Sequence, residues 1–425
     1  SNGYITFGSF NNHLKISDQV LDMWALILLQ VPDARMVLKF PKAHDPGVRR
    51  FMLQRFEAHG IDPDRISLRG MNDYVDHLRC LGQVDLLLDT YPFNGYRTTL
   101  EGLWMGVPTI TLPGTTHVSR AGLAVMTQLG LDTVFVARTP RAYVDRACIY
   151  AKRWHELARI RSTLRDKLLS SSICDCPGFA RDLEEAFRYM WQQWCAKQMR
   201  GVAPSSDVSA LPQAHRRGLL VRAALARSRH LRPLPPGASR SKMILEREGN
   251  PDFWADRANA IQQDRTRMSE ARLYWQRASE LAPDNMAYLQ AYATCVRDAG
   301  DVEQCIEILE RGIARAPGEG DLEFQWLQTV NYLPGYDRAY LSQRAKQWYE
   351  NHLAGISGFG RYNSVSPLSG TLKLGLLSGE FYENGAMSFY EPALRALNRD
   401  AFTLYAYSNV KTPDAGTARF TTLFD

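Results

Sequence analysis

The sequence predicts an α/β chain joined to an all-α segment: a doubly wound α/β lobe over residues 1–195, helical repeats over 251–354, and the truncated start of a second α/β unit over 371–425. Three observations carry this. Residues 1–195 alternate short apolar runs with helical periodicity, 251–354 hold only helical patterns that repeat, and strand character returns after residue 370. Strands separated by one helix each imply right-handed crossovers and a parallel sheet covered on both faces.

In the first lobe, residues 4–10 read as a strand. Ser17 offers a helix N-cap, and Val20, Trp24, Ile27, Leu28 and Val31 share one helical face. The alternation continues with a strand at 36–40, a helix at 47–59 closed by Gly60, a strand at 66–68, a helix at 73–81 and a strand at 84–89. A helix at 98–105, a strand at 109–112, a helix at 119–129 and a strand at 133–136 follow, and further helices ending in Phe187, Tyr189, Trp191 and Trp194 close the lobe. Residues 196–250 read as a tether rich in proline (Pro204, Pro212, Pro233, Pro235, Pro236), with one short basic helix at 213–229. Beyond it, Pro283 and Pro317 stand one repeat apart in matching segments, as do the small residues Ala278 and Gly312. The spacing is that of tetratricopeptide repeats, about 34 residues, with flanking helices at 253–263 and 321–349. A generic array of helical hairpins would fold in much the same way. Such an array presents a concave groove suited to a protein segment. The tail offers a strand at 371–378, a helix at 390–397 and a strand at 402–407. Two strands and a helix make no stable sheet domain alone, so the tail is expected to join a sheet elsewhere or to continue in a longer natural protein. The absence of an initiator Met points the same way.

The 425 residues are 45% hydrophobic and 23% charged, which sets aside collagen-like, wholly disordered and membrane classes. No uncharged apolar run approaches the roughly 18–20 residues of a spanning helix, and the first residues carry no secretory pattern. Seven cysteines are sparse, and Cys174 with Cys176 lacks a second pair at zinc-ligand spacing. Free thiols and a reducing, cytoplasmic setting follow. The net charge of +6 is local: residues 196–245 hold ten Lys or Arg against Asp207, so the rest of the chain is slightly acidic. Basic residues are not interleaved with exposed aromatics, which argues against a nucleic-acid surface.

Ligands of parallel α/β sheets collect beyond the carboxyl ends of the strands. The richest such end is 84–104, where an apolar run meets a turn with Pro92, Asn94 and Gly95, and the next helix opens on Thr98 and Thr99. A helix start with unpaired N–H groups and flanking hydroxyls binds phosphate oxygens, and its dipole favours their charge. Glu101 can accept from the two hydroxyls of a ribose; the plainer alternative is that Thr98 caps the helix and Glu101 completes a capping box. With no Gly-rich dinucleotide fingerprint, a nucleotide here would be held by helix ends. Lys15 can neutralise a diphosphate or stand as an ordinary solvated lysine. His77 can stack on or hydrogen-bond a base, or be a half-buried helix residue. His117, beside Ser119 and Arg120 in another strand-to-helix loop, is open to both kinds of role.

Three blocks together resemble the C-terminal catalytic lobe of O-linked N-acetylglucosamine transferases: Phe7-Gly-Ser-Phe-Asn-Asn with Lys15; Leu88-Asp-Thr with Pro92-Phe-Asn-Gly and Thr98-Thr-Leu-Glu-Gly-Leu-Trp-Met-Gly-Val-Pro108; and Pro113-Gly with His117-Val-Ser-Arg120-Ala-Gly122. The repeats look like that family's superhelix, and Leu374-Gly-Leu-Leu-Ser-Gly-Glu-Phe381 through Tyr407-Ser-Asn looks like the start of its N-terminal lobe. The resemblance implies a metal-independent GT-B fold with no cofactor beyond the UDP-N-acetylglucosamine donor. It implies transfer to Ser or Thr hydroxyls of protein acceptors with inversion, the acceptor entering through the repeat groove. It places Lys15 on the diphosphate, Thr98 and Thr99 on the phosphates, His77 on the uracil and Glu101, where the family often has Asp, on the ribose. Asn94, Gly95 and His117 complete the expected UDP-sugar set.

Two departures bear on activity. The family order is repeats, N-terminal lobe, C-terminal lobe, whereas here the C-terminal lobe comes first; a tandem pair of transferase copies explains this more simply than circular permutation. Asn384 stands where the family commonly has a His, and Asn is no general base; Tyr96 and Arg97 also replace a smaller or His-containing turn. A non-catalytic repeat scaffold with degenerate lobes, or an enzyme that moves glucose to Asn, are the competing readings.

Overall fold

The computed structural model describes residues 3–201, 248–262, 264, 266–354, 370–384 and 387–424. In the first unit five parallel strands form one sheet: β1 (Thr6–Ser9), β2 (Arg35–Lys39), β3 (Ile66–Arg69), β4 (Leu86–Leu88) and β5 (Thr109–Ile110). They lie in the order β3-β2-β1-β4-β5, which reverses direction at β1, so the crevice beyond β1 and β4 is the topological switch point. All four residues of β1 are buried, as befits the central strand of a sheet covered on both sides. Helices α1 (Asp18–Gln30), α2 (Pro46–Glu57), α3 (Tyr74–Gly82), α4 (Arg97–Trp104), α5 (Ala121–Gln128), α6 (Asp132–Phe135), α7 (Pro140–Lys152), α8 (Trp154–Leu169) and α9 (Cys176–Gly201) complete the lobe. Ser17 caps α1 as expected, accepting from Val20 N, while its hydroxyl donates to Tyr91 O at 2.7 Å.

One predicted strand is corrected. Residues 133–135 lie in the single helical turn α6, not in a strand, and among the described residues the segment meets the sheet through the Thr111–Val136 bridge. Gly130 turns the chain with φ +65°, after which the N–H groups of Val134, Phe135 and Val136 bond back to Leu131 and Asp132. Those donors are no longer available to a ladder, and the β-branched pattern is overridden.

The helical array comprises α10 (Pro251–Ile261), α11 (Met268–Leu281), α12 (Met286–Asp298), α13 (Val302–Arg315), α14 (Gly320–Thr329) and α15 (Arg338–His352). Asn250, Asn285, Asp301 and Asp337 cap four of these starts. Ala278 and Gly312, the small residues one repeat apart, are both buried. The expected helical region 321–349 resolves into two helices separated by the turn Val330–Tyr332 and by Pro334 and Gly335. The short helix expected at 213–229 lies outside the described residues.

The tail forms β6 (Leu372–Ser378), α16 (Met387–Ala396), β7 (Phe402–Ser408) and α17 (Ala415–Thr421), with β6 and β7 paired in parallel over seven residues. It joins no other sheet among the described residues. The long helix α9 covers it instead: Ala180, Leu183 and Phe187 pack with Phe381, Leu394, Phe402, Leu404 and Phe420 in one apolar cluster. A two-strand unit too small to stand alone thus borrows its core from the first lobe.

The array docks on that lobe through polar contacts, a ring stack and the burial of Ala299 in the lobe's core. Asp45, fully buried, accepts from Gly47 N (2.8 Å) and Val48 N (2.9 Å) to cap α2, and also from Ser269 Oγ (2.6 Å) and Ser269 N (3.0 Å) at the start of α11. One carboxylate therefore caps helices in both units. Gly47 leaves room for this, because a Cβ there would overlap the Ser269 hydroxyl. Lys42 pairs with Asp298 at 3.0 Å, His13 Nε2 lies 2.9 Å from Asp298 O, and Tyr332 stacks on Phe93 with ring centres 5.1 Å apart.

Candidate active site

The carboxyl ends of β1, β4 and β5 carry three loops that meet. Asp89, immediately after β4, organises the middle one. Its carboxylate accepts from Thr90 N (2.9 Å), Gly95 N (2.7 Å) and Thr111 Oγ1 (2.7 Å). Its own carbonyl accepts from Tyr143 OH, which in turn accepts from Trp24 Nε1. Burial pushes the Asp89 carboxyl up to about 6, against the lowering effect of these hydrogen bonds and of Lys15.

Lys15 ends a short turn after β1. Its Nζ donates to Asn94 O at 3.0 Å and lies 4.1 Å from the centre of the Phe93 ring. Burial lowers its pKa, the Asp89 charge opposing. An ammonium has three donors, so this contact leaves capacity for an anion. Asn94 is buried; its Nδ2 donates to Thr90 O and Leu112 O, its N to Val118 O, and its Oδ1 has no partner among the described residues. The Asn94–Val118 bond ties the His117 loop to this one. His117 itself is exposed, and its ring makes no hydrogen bond among the described residues.

The capping alternative is not what forms at α4. The helix begins one residue earlier than expected, at Arg97, and has no side-chain cap. Thr98 Oγ1 donates instead to Asn11 Oδ1 (3.0 Å) and Thr99 Oγ1 to Gly95 O (2.9 Å). Glu101 turns away from the helix start: Oε1 accepts from Arg97 Nε at 2.7 Å and Oε2 lies 3.1 Å from His77 Nε2. Burial alone would raise the Glu101 carboxyl, but His77 and Arg97 outweigh it and hold the group below its usual value. A first-turn N–H cluster without a side-chain cap, the Thr98 hydroxyl and Lys15 thus stand together past the carboxyl ends of β1 and β4, a set that suits a polyanion. Gly95 belongs to the same arrangement, since a Cβ there would overlap Thr98 Oγ1 and Asn11 Oδ1.

The structure therefore gathers Lys15, Asn94, Gly95, Thr98 and Thr99 around one loop, joins His77 to Glu101 beside it, and leaves His117 at the rim. Sequence reasoning passed over Asn11, Lys39 and Asp89. Each stands at or just past the end of a buried apolar strand, and that placement was the available signal. Two cavities lie elsewhere. One of about 290 Å³ touches Thr6, Arg35 and Asp64 at the amino ends of the strands, and one of about 400 Å³ lies between α9 and β6.

The fold and this edge define a doubly wound lobe with a polar switch point beyond β1 and β4. Residues 1–183 match the family description Glycosyl transferase family 41. Among its relatives is an Arabidopsis thaliana protein named probable UDP-N-acetylglucosamine–peptide N-acetylglucosaminyltransferase SPINDLY, 37% identical over 206 residues, 48% of this chain and 22% of that protein. A Caenorhabditis elegans UDP-N-acetylglucosamine–peptide N-acetylglucosaminyltransferase is 31% identical, covering 45% of this chain and 16% of that protein. A solved structure of a Thermobaculum terrenum O-GlcNAc transferase mutant aligns with a TM-score of 0.45 at 36% identity, covering 47% of this chain and 38% of that one. The chain spans about a fifth of the length of the curated relatives it matches. Among the described residues no helix is long and apolar enough to cross a membrane.

Proposed function

We propose that residues 1–195 are the donor-binding lobe of a protein glycosyltransferase that moves N-acetylglucosamine from UDP to Ser or Thr hydroxyls. The observation that carries it is Lys15, half-buried and adjacent to the uncapped start of α4. As the sugar–phosphate bond breaks, negative charge grows on the departing diphosphate. Lys15, the α4 N–H groups and the Thr98 and Thr99 hydroxyls would stabilise it with dipoles already in place. That supplies the Lewis-acid role without a metal or other cofactor. Asn94 and Gly95 shape the loop, His77 and Glu101 take the nucleoside end, and His117 completes the UDP-sugar set. The relatives' names support the donor and the peptide acceptor, which we place along the groove of the helical array. We place the reaction in the cytoplasm, with no nucleic acid or membrane partner.

The competing scaffold reading draws on Asn384. Its Oδ1 accepts from Met387 N at 3.1 Å and its Nδ2 donates to Glu380 O at 2.9 Å, so it serves as the cap of α16. The 370–424 unit therefore offers no base at that position. Calorimetry of the 425-residue chain with UDP tests the proposal. Binding between micromolar and millimolar is expected, weakened at least about tenfold, or 1.4 kcal/mol, in Lys15→Ala. No heat at saturating UDP would overturn it, and a sugar-transfer assay that leaves all label on UDP would favour the scaffold.

A further inference from the structure

Lys39, the last residue of β2, is 2% exposed, a burial that lysine rarely tolerates without partners. Its Nζ donates to Asn72 Oδ1 at 2.6 Å and lies 2.9 Å from His77 Nδ1. On the other side of the same ring, His77 Nε2 lies 3.1 Å from Glu101 Oε2, and Arg97 Nε holds the second carboxylate oxygen at 2.7 Å. Tyr74 stacks on the ring at 6.2 Å and Phe10 meets it edge-on at 5.6 Å.

The donor and acceptor inventory leaves one assignment. An ammonium only donates, so Nδ1 must present its lone pair; an ionised carboxylate only accepts, so Nε2 must carry the hydrogen. The bond at one ring nitrogen sets the state of the other. We propose that Lys39 is a positioning residue of the nucleotide site, fixing His77 as the neutral Nε2–H tautomer and, through it, the orientation of the Glu101 carboxylate. Both ring nitrogens are then committed to the protein and Tyr74 stacks on the ring, so His77 would act on a nucleoside through Glu101, the polar group left to meet the ribose. Removing the ammonium frees Nδ1, lets the ring exchange tautomers and loosens Glu101 without deleting any group that would touch the nucleotide.

This rests on the donor-site reading for its functional arm, and the test keeps the two apart. The 425-residue chain, labelled with nitrogen-15 at histidine, is studied by long-range nitrogen–proton correlation at pH 7, with the His77 signals identified by their loss in His77→Gln. The wild type is expected to show the Nε2–H pattern for His77. Lys39→Met is expected to move His77 toward a tautomer mixture and to weaken UDP binding about tenfold, and Lys39→Arg, another pure donor, to restore both. A wild-type His77 that is Nδ1–H or doubly protonated overturns the proposal without any variant, as does an unchanged tautomer in a folded Lys39→Met. If the wild-type tautomer is as expected but UDP does not bind, it is the donor-site reading that fails.

Discussion

Replacing His13 by glutamine and Asp89 by asparagine, one at a time, separates two titrations that oppose each other. His13 is 2% exposed, with Nε2 on Asp298 O and Nδ1 unpartnered among the described residues. Burial, with Lys42 nearby, lowers its pKa from 6.5 to about 4 although the Asp298 carbonyl favours the charged ring. Between those values the unfolded chain binds a proton that the native chain refuses, so stability rises with pH and the gain is complete above 6.5. At about 1.4 kcal/mol per pH unit the rise is about 3 kcal/mol. Asp89 runs the other way. Its carboxyl is raised from 3.8 to about 6, so the native chain keeps a proton that the unfolded chain releases. Stability falls as pH rises through that window, again by about 3 kcal/mol, and is level above it. The two nearly cancel in the wild type. Urea unfolding followed by tryptophan fluorescence from pH 4 to 7 should show His13→Gln, which keeps a donor for Asp298 O, falling by about 3 kcal/mol relative to wild type as pH rises. Asp89→Asn should rise by a similar amount. A variant profile parallel to wild type in either case refutes the reasoning for that residue.

Three further outcomes follow from the same contacts. Asp45→Ala, which strips caps from α2 and α11 together, should lower stability by about 2–4 kcal/mol, and Asp45→Asn by less, because one oxygen can still serve α2; equal losses in urea unfolding would contradict the shared cap. Gly95→Ala should weaken UDP binding about tenfold or more by forcing Thr98 and Asn11 apart, with calorimetry on the folded variant as the check. Tyr332→Ala should remove about 1 kcal/mol of ring stacking on Phe93 and speed proteolysis at the ends of the array; an unchanged cleavage rate would count against Tyr332 as a docking contact.

The alternation that predicted the lobe rests on local periodicity, and periodicity survives folding: Trp24 and Ile27 sit in the core where their spacing put them, and Ser17 caps the helix it precedes. The strand expected at 133–136 was lost to Gly130, whose positive φ no periodicity encodes. At the β4 edge the pattern put Thr98 and Thr99 at a helix start, where hydroxyls commonly cap, but it did not show that they bond Asn11 and Gly95 instead. The partners of Glu101 were not legible either, since His77 reaches it from a different crossover and Arg97 belongs to a helix start misplaced by one residue. Lys39 was hidden for a related reason: a lysine closing an apolar strand reads as a solvated end until Asn72 and His77 are seen around it. The docking of the array was invisible altogether, because Asp45 and Ser269 meet only after every intervening element has folded.

That meeting has an angular meaning. Ser269 is the second residue of α11, and each step along a helix rotates the side chain by about 100°. Sliding the pairing by one position would swing the hydroxyl away from Asp45 and bring a bulkier side chain against Gly47. The joint thus selects the rotational phase of α11 on the lobe, and the hairpins that stack on α11 inherit that phase. One buried carboxylate would thus help to set the direction in which the array leaves the lobe.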